Sequence, residues 1–358
     1  MGKALCLIFI AGMLAAMMAR AAMAEVVNYA APDGSTAQPL VIYSTLDNRL
    51  AAPLITAFQT GQPSVSVRYE DLLAGEIAAR VMAESVAGQA TADFVFSSAM
   101  DMQVKLANDG FAQAVAVPAA ANWPVWANWQ DTAFALTFEP AVLVYHKPSF
   151  PAGPPQSRLE LIEWLGRVPP DMRGKTGTYD IEQSAVGYLI LARDAEHFPD
   201  IWALLRAMAA AGVQTFPTSQ AVIDRVAVGE LVLGYNVLGS YAADQARIKP
   251  GLGLVLMRDF TVVVSRVAIV PRAAGAPDLG RAFLAFLMSK DGQTLLSENL
   301  RLPAVSLEVS GANSGAAMQA ALGDQLRPVA VSPGLLVYLD QAKRQRFFRL
   351  WRAALGRG

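Results

Sequence analysis

The stretch that decides the fold is PLVIYSTLDNRLAAPLITAF, residues 39–58. Residues 40–43 predict a short apolar strand, which runs through a polar turn into an amphipathic helix. A strand that opens directly into a helix points free backbone N–H groups at one place, where the helix dipole also favours negative charge. Ser44 and Thr45 add hydroxyl donors there, although an ordinary turn with Asp47 or Asn48 as N-cap explains the same residues. The apolar face of the helix carries Leu50, Leu54, Ile55 and Phe58.

Similar units follow along the next fifty residues. Strands are predicted over 65–69 and 92–96, and helices over 75–86 and 101–108, which is the order of a parallel sheet covered by helices. Ser97 and Ser98 follow the third strand as Ser44 and Thr45 follow the first. Because the carboxyl ends of parallel strands line the ligand crevice of such sheets, both hydroxyl pairs are candidate ligand groups. Helix capping explains each pair taken singly.

A second set of strand and helix units follows the proline-rich segment 147–155. Its strands over 175–179 and 231–235 end in polar side chains, and its helix over 184–195 begins at a serine. Long extended stretches at 133–146 and 252–270 flank this set, which predicts that the chain crosses to a second lobe and returns. The candidate ligand groups of this lobe are Tyr179, Ser184, Tyr235, Asn236, Ser240 and Tyr241.

The first 24 residues predict a secretory signal peptide. Lys3 precedes an apolar run over 4–18, and Ala22-Met23-Ala24 ends in small residues, so cleavage is expected after Ala24. Cys6 is the sole cysteine and lies in this segment, so the exported part is expected to have no disulfide or thiolate site. A formal net charge of −1 excludes nucleic-acid binding driven by charge.

Catalytic and metal-binding motifs are missing from the sequence. It contains two histidines, His146 and His197, and no G-x-S-x-G, S-x-x-K or H-E-x-x-H motif. The segment Gly174-Lys175-Thr176 mimics the end of a phosphate-binding loop, but Pro169 occupies the position of the first glycine. We therefore expect no catalysis, no cofactor and no metal site.

Five segments carry a family resemblance: VIYST at 41–45, ADFVFSSAMD at 92–101, FEPAVLVYHK at 138–147, GELVLGYNVLGSY at 229–241 and SRVAIVPRAAGAPDLGRAFLAFLMSKDGQ at 265–293. With the predicted signal peptide, they resemble a periplasmic solute-binding protein of an ABC transporter. The branch is extracellular solute-binding family 1, which includes ferric-iron, phosphonate and phosphoglycerate receptors. The resemblance implies an α/β fold of the two-lobe periplasmic-binding-protein type (type II), with two hinge-crossing strands and ligand bound in the cleft.

The resulting domain expectation divides the chain into five ranges. They are a signal peptide over 1–24, lobe one over 25–138, lobe two over 139–254, a return to lobe one over 255–325 and a C-terminal segment over 326–358 with an amphipathic basic helix over 334–355. The basic face of that helix is usually solvated; docking to a partner or to an anionic membrane surface is the alternative.

The sequence departs from the ferric branch of this family. The resemblance implies an adjacent tyrosine pair after the strand at 231–235, but this sequence has 237–240 there, with single tyrosines at Tyr235 and Tyr241. It also offers Asp47 where the ferric branch implies a histidine. Hydroxyls, amides and backbone N–H groups suit a phosphate ester, phosphonate or carboxylate instead, because a buried anion needs donors on most of its lone pairs. Arg49 and Arg266 are candidate counter-charges, although exposure to solvent is the commoner role of an arginine.

The expected function is therefore delivery of a small anionic solute to ABC permease subunits of the inner membrane. A receptor that reports to a sensor kinase and an exported α/β hydrolase are the alternatives. The full set of candidate ligand-binding residues is Ser44, Thr45, Ser97, Ser98, Tyr179, Ser184, Tyr235, Asn236, Ser240 and Tyr241.

Overall fold

The computed structural model describes residues 25–357, which form two mixed β-sheets with helices packed on them. The predicted signal peptide lies outside the described residues. The strands of sheet one are β1 Glu25–Tyr29, β2 Leu40–Ser44, β3 Val67–Asp71, β4 Phe94–Ser97, β5 Asn128–Trp129, β6 Ala133–Ala135 and β13 Val267–Ile269. They lie in the order β1-β3-β2-β4-β13-β6-β5.

Sheet two is built from the middle of the chain and one late strand. Its strands are β7 Glu139–His146, β8 Thr176–Tyr179, β9 Gln214–Phe216, β10 Leu233–Leu238, β11 Leu252–Val255, β12 Thr261–Val264 and β14 Leu326–Pro328. Their order is β14-β12-β7-β10-β8-β9, and β11 pairs with β7 outside this path. We call sheet one with its helices lobe one, and sheet two with its helices lobe two.

The helices alternate with the strands as the hydrophobic pattern predicts. Lobe one carries α1 Asn48–Gly61, α2 Ala74–Val86, α3 Met100–Asn108, α9 Pro277–Met288 and α10 Lys290–Thr294. Lobe two carries α4 Arg158–Gly166, α5 Ala185–His197, α6 Ile201–Ala210, α7 Ser219–Ala227 and α8 Gly239–Ile248. The chain continues through α11 Gly315–Leu322 and α12 Gln341–Ala354. None of the helices within residues 25–357 is long and apolar enough to cross a membrane.

The opening stretch folds as predicted. It forms β2 and α1, and Leu50, Leu54, Ile55 and Phe58 are all buried. Strand β2 runs parallel to both β3 and β4, with Ser44 in register with Asp71 on one side and with Phe96 on the other. The carboxyl ends of these three strands therefore lie together at one edge of sheet one.

The chain passes between the lobes at two neighbouring places. Strand β6 of sheet one is followed by β7 of sheet two, and β12 of sheet two is followed by β13 of sheet one. Near these crossings β7 and β12 pair antiparallel, with Val264 in register with Glu139. The return crossing falls at 265–266, later than the residue 255 expected from the sequence.

Three predicted elements differ from the structure. Strand β10 does not stop at Tyr235 but continues to Leu238, because Asn236 adopts a left-handed conformation (φ 62°) and the register shifts there as in a β-bulge. The sequence pattern of 290–298 predicts one helix, but α10 ends at Thr294 and one π-helical turn follows over 295–299. The helix predicted over 334–355 is interrupted near Asp340, so a 3₁₀ segment over 333–339 precedes α12.

The C-terminal segment contacts both lobes. Strand β14 pairs with β12 in sheet two, and the 3₁₀ segment packs against α3 of lobe one. The ring of Tyr338 packs edge-on against Tyr188 of α5, and its hydroxyl accepts a hydrogen bond from Arg193 at 3.2 Å. Helix α12 packs on α6 of lobe two, where Trp351 is buried.

Candidate functional site

Arg266 lies on the return crossing, between β12 and β13, and only 1% of the residue is exposed. Glu139, the first residue of β7 on the outward crossing, is also buried. The Arg266 Nε and Glu139 Oε1 atoms lie 3.2 Å apart, but Nε makes no hydrogen bond, so the two groups form a Coulombic pair. Burial lowers the pKa of Arg266, but the charge of Glu139 and the nearby Tyr241, Tyr69 and Asp47 outweigh it and raise the pKa.

Two of the predicted hydroxyl groups of lobe one meet at Arg266. The guanidinium Nη1 donates to Thr45 Oγ1 at 3.1 Å, and the backbone N–H of Ser98 donates to the same oxygen at 3.1 Å. The Thr45 and Ser98 hydroxyl oxygens lie 3.5 Å apart. They meet because β2 and β4 are parallel neighbours whose ends coincide.

Lobe two meets the same pair from the side of Glu139. Ser240 donates its hydroxyl to Glu139 Oε2, and Thr137 donates to Oε1 at 2.8 Å. The ring centroid of Tyr241 lies 5.6 Å from the guanidinium carbon of Arg266, within the range of a cation–π contact. Burial raises the pKa of Tyr241, and the carboxylate of Asp47 raises it further.

Acidic groups border this cluster on the lobe-one side. Asp71 ends β3, and burial raises its pKa to about 7, with the charges of Asp47 and Glu25 adding to the effect and Arg266 opposing it. Tyr69 on the same strand is buried and donates its hydroxyl to the backbone oxygen of Leu46. The neighbourhood of Arg266 therefore combines one buried cation with hydroxyl donors and nearby carboxyl groups.

Tyr235 and Asn236 lie in the interior of lobe two, in a network around the fully buried Asp194. Asp194 accepts hydrogen bonds from the Tyr235 hydroxyl at 2.5 Å and from Asn236 Nδ2 at 2.6 Å. Arg158 completes the network, with Nη2 2.6 Å from Asp194 and Nε donating to the Tyr235 hydroxyl at 2.8 Å. Burial raises the pKa of Tyr235 well above its usual value. The structure thus does not bring these two predicted residues to the Arg266 cluster.

The remaining predicted residues make local contacts. Ser44 donates to Phe96 O and accepts from Leu46 N. Ser97 accepts from Ala99 N at 3.2 Å, and Ser184 caps α5 by accepting from Gly187 N at 3.2 Å. Tyr179 is buried and shares a hydrogen bond with the Ser219 hydroxyl, which also accepts from Leu238 N at 3.0 Å. Ser44, Ser97 and Tyr179 thus hold the loops that carry the cluster.

The helices differ in their N-caps. In α1, α2, α3, α6, α8 and α9 no side chain caps the first turn. By contrast, a side chain caps the first turn in α4, α5, α7, α10, α11 and α12. The capping residues are, in that order, Ser157, Ser184, Thr218, Ser289, Ser314 and Asp340. Uncapped first turns leave N–H groups free to bind water or an anion.

A surface depression of lobe two is lined by residues between 152 and 167, and it lies at neither crossing.

Sequence reasoning missed several members of the cluster. Glu139 lies inside the extended stretch predicted at 133–146, and in the structure it begins β7 and pairs with Arg266. An acidic residue inside a long apolar run was the available signal, because a buried carboxylate needs a partner. Asp71 carried no comparable signal, because its position depends on the parallel pairing of β2 with β3. Within residues 25–357 no group of three or more His, Asp or Glu side chains is arranged to hold a metal ion.

Two α/β lobes with paired crossings, and a polar cluster where they meet, define a solute-binding protein. The sequence profile described as bacterial extracellular solute-binding protein matches residues 41–299, so the chain belongs to that family, whose members bind solutes and are not enzymes. This confirms the predicted family and the type II fold.

Solved structures agree with this assignment. The substrate-binding protein of an ABC transporter from Agrobacterium tumefaciens is 55% identical over 93% of this chain and 99% of that chain, with a TM-score of 0.90. The periplasmic binding protein AfuA from Actinobacillus pleuropneumoniae, with exogenous fructose-6-phosphate bound, is 16% identical over 89% of this chain and 99% of that one, with a TM-score of 0.72.

A third structure is iron-bound HitA from Pseudomonas aeruginosa, 16% identical over 89% of this chain and 99% of that chain, with a TM-score of 0.68. At these low identities the last two similarities show the fold alone. No match was found among curated proteins.

Proposed function

We propose that this chain is the periplasmic substrate-binding protein of an ABC transporter, and that it binds a small anionic solute between its lobes. The similarity to the Agrobacterium tumefaciens protein supports the transport role, and with it permease subunits of the inner membrane as partners. The proposal includes export by the segment 1–24 with cleavage after Ala24. It also includes hinge bending between lobe one and lobe two at their two crossings.

The buried guanidinium of Arg266 is the observation that carries the anionic class of ligand. It lies on a crossing, donates to Thr45 of lobe one and faces Tyr241 of lobe two, so an anion beside it contacts both lobes. Charge-assisted hydrogen bonds to a buried arginine offset the desolvation of an anion. The uncapped first turns of α1, α3 and α8 add backbone donors from both lobes.

We assign direct ligand contact to Thr45, Ser98, Ser240 and Tyr241. Their hydroxyls lie at the ends of elements from both lobes, and they neighbour Arg266 or its partner Glu139. Ser44, Ser97 and Tyr179 support the loops that present these groups. Ser184, Tyr235 and Asn236 take structural roles in this assignment, because their polar atoms are used within lobe two.

The candidate tyrosines do not favour ferric iron as the ligand. Tyrosinate ligands require deprotonated phenols, whereas burial raises the pKa of Tyr179, Tyr235 and Tyr241. The Tyr235 hydroxyl is also occupied by Asp194 and Arg158. An oxyanion needs neutral hydroxyl donors, and Tyr241 is the tyrosine that we assign to that role.

A ligand panel tests the proposal. Thermal unfolding is followed with phosphate esters, phosphonates, carboxylates and ferric chelates, since a ligand that binds only the folded state raises the melting temperature by mass action. We expect one class of oxyanion to stabilise the wild type and not R266Q. A uniformly flat response, or a tyrosinate charge-transfer band on titration with iron, would contradict the proposal.

A further inference from the structure

The start of one helix contacts the middle of another across the lobes, beside the Arg266 cluster. Arg49 lies in the first turn of α1 in lobe one, and Asp244 lies in α8 of lobe two. Arg49 Nη2 donates to Asp244 Oδ2 at 2.9 Å. A few residues earlier on each helix, the carboxylate of Asp47 lies near enough to Tyr241 to raise its pKa, after the larger effect of burial. We call this region, formed by Asp47, Arg49, Tyr241 and Asp244, the lip.

The two sides of the ion pair differ in their surroundings. The side chain of Asp244 is 5% exposed, whereas that of Arg49 is 57% exposed. Asp244 has other partners, but they belong to its own helix: Arg247 Nη2 lies 3.6 Å from Oδ1, and Gln245 Nε2 donates to Oδ2 at 3.4 Å. Within residues 25–357, the ion pair with Arg49 is therefore the one that links Asp244 to a cation of lobe one.

Separation of the lobes removes this contact. While the lobes are together, Arg49 balances the buried charge of Asp244. The electrostatic energy of the lip is therefore more favourable while the Arg49–Asp244 pair is formed.

We infer that Arg49 and Asp244 form a closure latch, an affinity-determining pair that favours the closed arrangement of the lobes before any ligand binds. The inference rests on the two-lobe fold and on this contact, and it is independent of the anionic class of ligand. Because Arg49 is largely exposed, solvent and salt weaken the pair, and its loss lowers the closed-to-open ratio about two- to fivefold.

The test measures the distance between the far ends of the two helices in the absence of ligand. Cys6 is the sole natural cysteine, so the full chain carrying C6S accepts spin labels at Thr60→Cys in α1 and Ile248→Cys in α8. Both positions are exposed. Double electron–electron resonance is recorded for the labelled parent, R49Q, D244N, R247Q and the charge-swapped R49D/D244R. R247Q is the matched control because Arg247 reaches the same carboxylate without crossing between lobes.

We expect R49Q and D244N to increase a longer-distance population, R247Q to resemble the parent, and the charge swap to recover part of the short-distance population. High salt should move the parent toward R49Q. Equal distance distributions in the parent, R49Q and D244N would overturn the inference, as would an equal effect of R247Q and R49Q. A charge swap that recovers nothing would overturn it too, even if the ligand panel succeeds. Unchanged melting temperatures establish that the exposed-site variants fold.

Discussion

At the scale of single residues, the pair of Arg266 and Glu139 links the two lobes through their crossings. Arg266 reaches Thr45 of lobe one, and Glu139 accepts from Ser240 of lobe two. Both ionic side chains are only 1% exposed, so neither charge has bulk water as an alternative partner. The pair therefore couples the geometry of the two lobes as well as balancing charge.

Removal of one member of this pair is expected to be costly. R266M should lower the free energy of unfolding by about 3–5 kcal/mol, because it leaves the buried charge of Glu139 without its partner. The double variant R266M/E139Q should recover part of that loss, and urea denaturation measures both. Additive losses in the double-mutant cycle would show that the pair carries no coupling.

Asp71 makes stability depend on pH. Folding raises its pKa from 3.8 to about 7, so the folded protein holds this proton more tightly than the unfolded chain does. The stabilisation is full below the unfolded pKa and is lost as the pH rises through about 7. Since Asp71 is partly exposed, we expect D71N to gain about 1–2 kcal/mol over the wild type at pH 8 and nothing at pH 4. Identical pH profiles from urea denaturation would contradict the raised pKa.

At the scale of elements, Ser184 illustrates a side-chain cap that stabilises the start of a helix, because its hydroxyl accepts from Gly187 N. S184A should lower the free energy of unfolding by about 1 kcal/mol without changing the affinity for the ligand that the panel identifies. Weaker binding with unchanged stability would place Ser184 in the site instead.

Much of each element was predictable from local pattern. The strand, turn and helix at 39–58 follow from periodicity, and the meeting of Thr45 with Ser98 follows from parallel strands. Tyr235 and Asn236 were not predictable, because a left-handed Asn236 lets β10 continue. Their partner Asp194 lies about forty residues away in sequence. Pairs of buried charges that lie far apart in sequence cannot be recognised from a short segment. Glu139 and Arg266 are a second pair of this kind.

At the scale of the whole molecule, the C-terminal segment is part of both lobes rather than an appendage. It adds β14 to sheet two, contacts α3 of lobe one and buries Trp351 against lobe two. W351A should therefore lower the free energy of unfolding by about 3–5 kcal/mol, as for a buried aromatic side chain in a core. A loss below 1 kcal/mol in urea denaturation would show that the segment is only loosely attached.

The central claim is that a small anion binds between the lobes, on Arg266 and the hydroxyls beside it. Isothermal titration with the oxyanion identified by the ligand panel tests it most directly, using R266Q, T45A and S98A, with S184A as a control of similar chemistry. We expect R266Q to abolish measurable binding, T45A and S98A each to weaken it about tenfold (about 1.4 kcal/mol), and S184A to bind as the wild type does. Wild-type affinity in R266Q would show that the anion does not bind on Arg266.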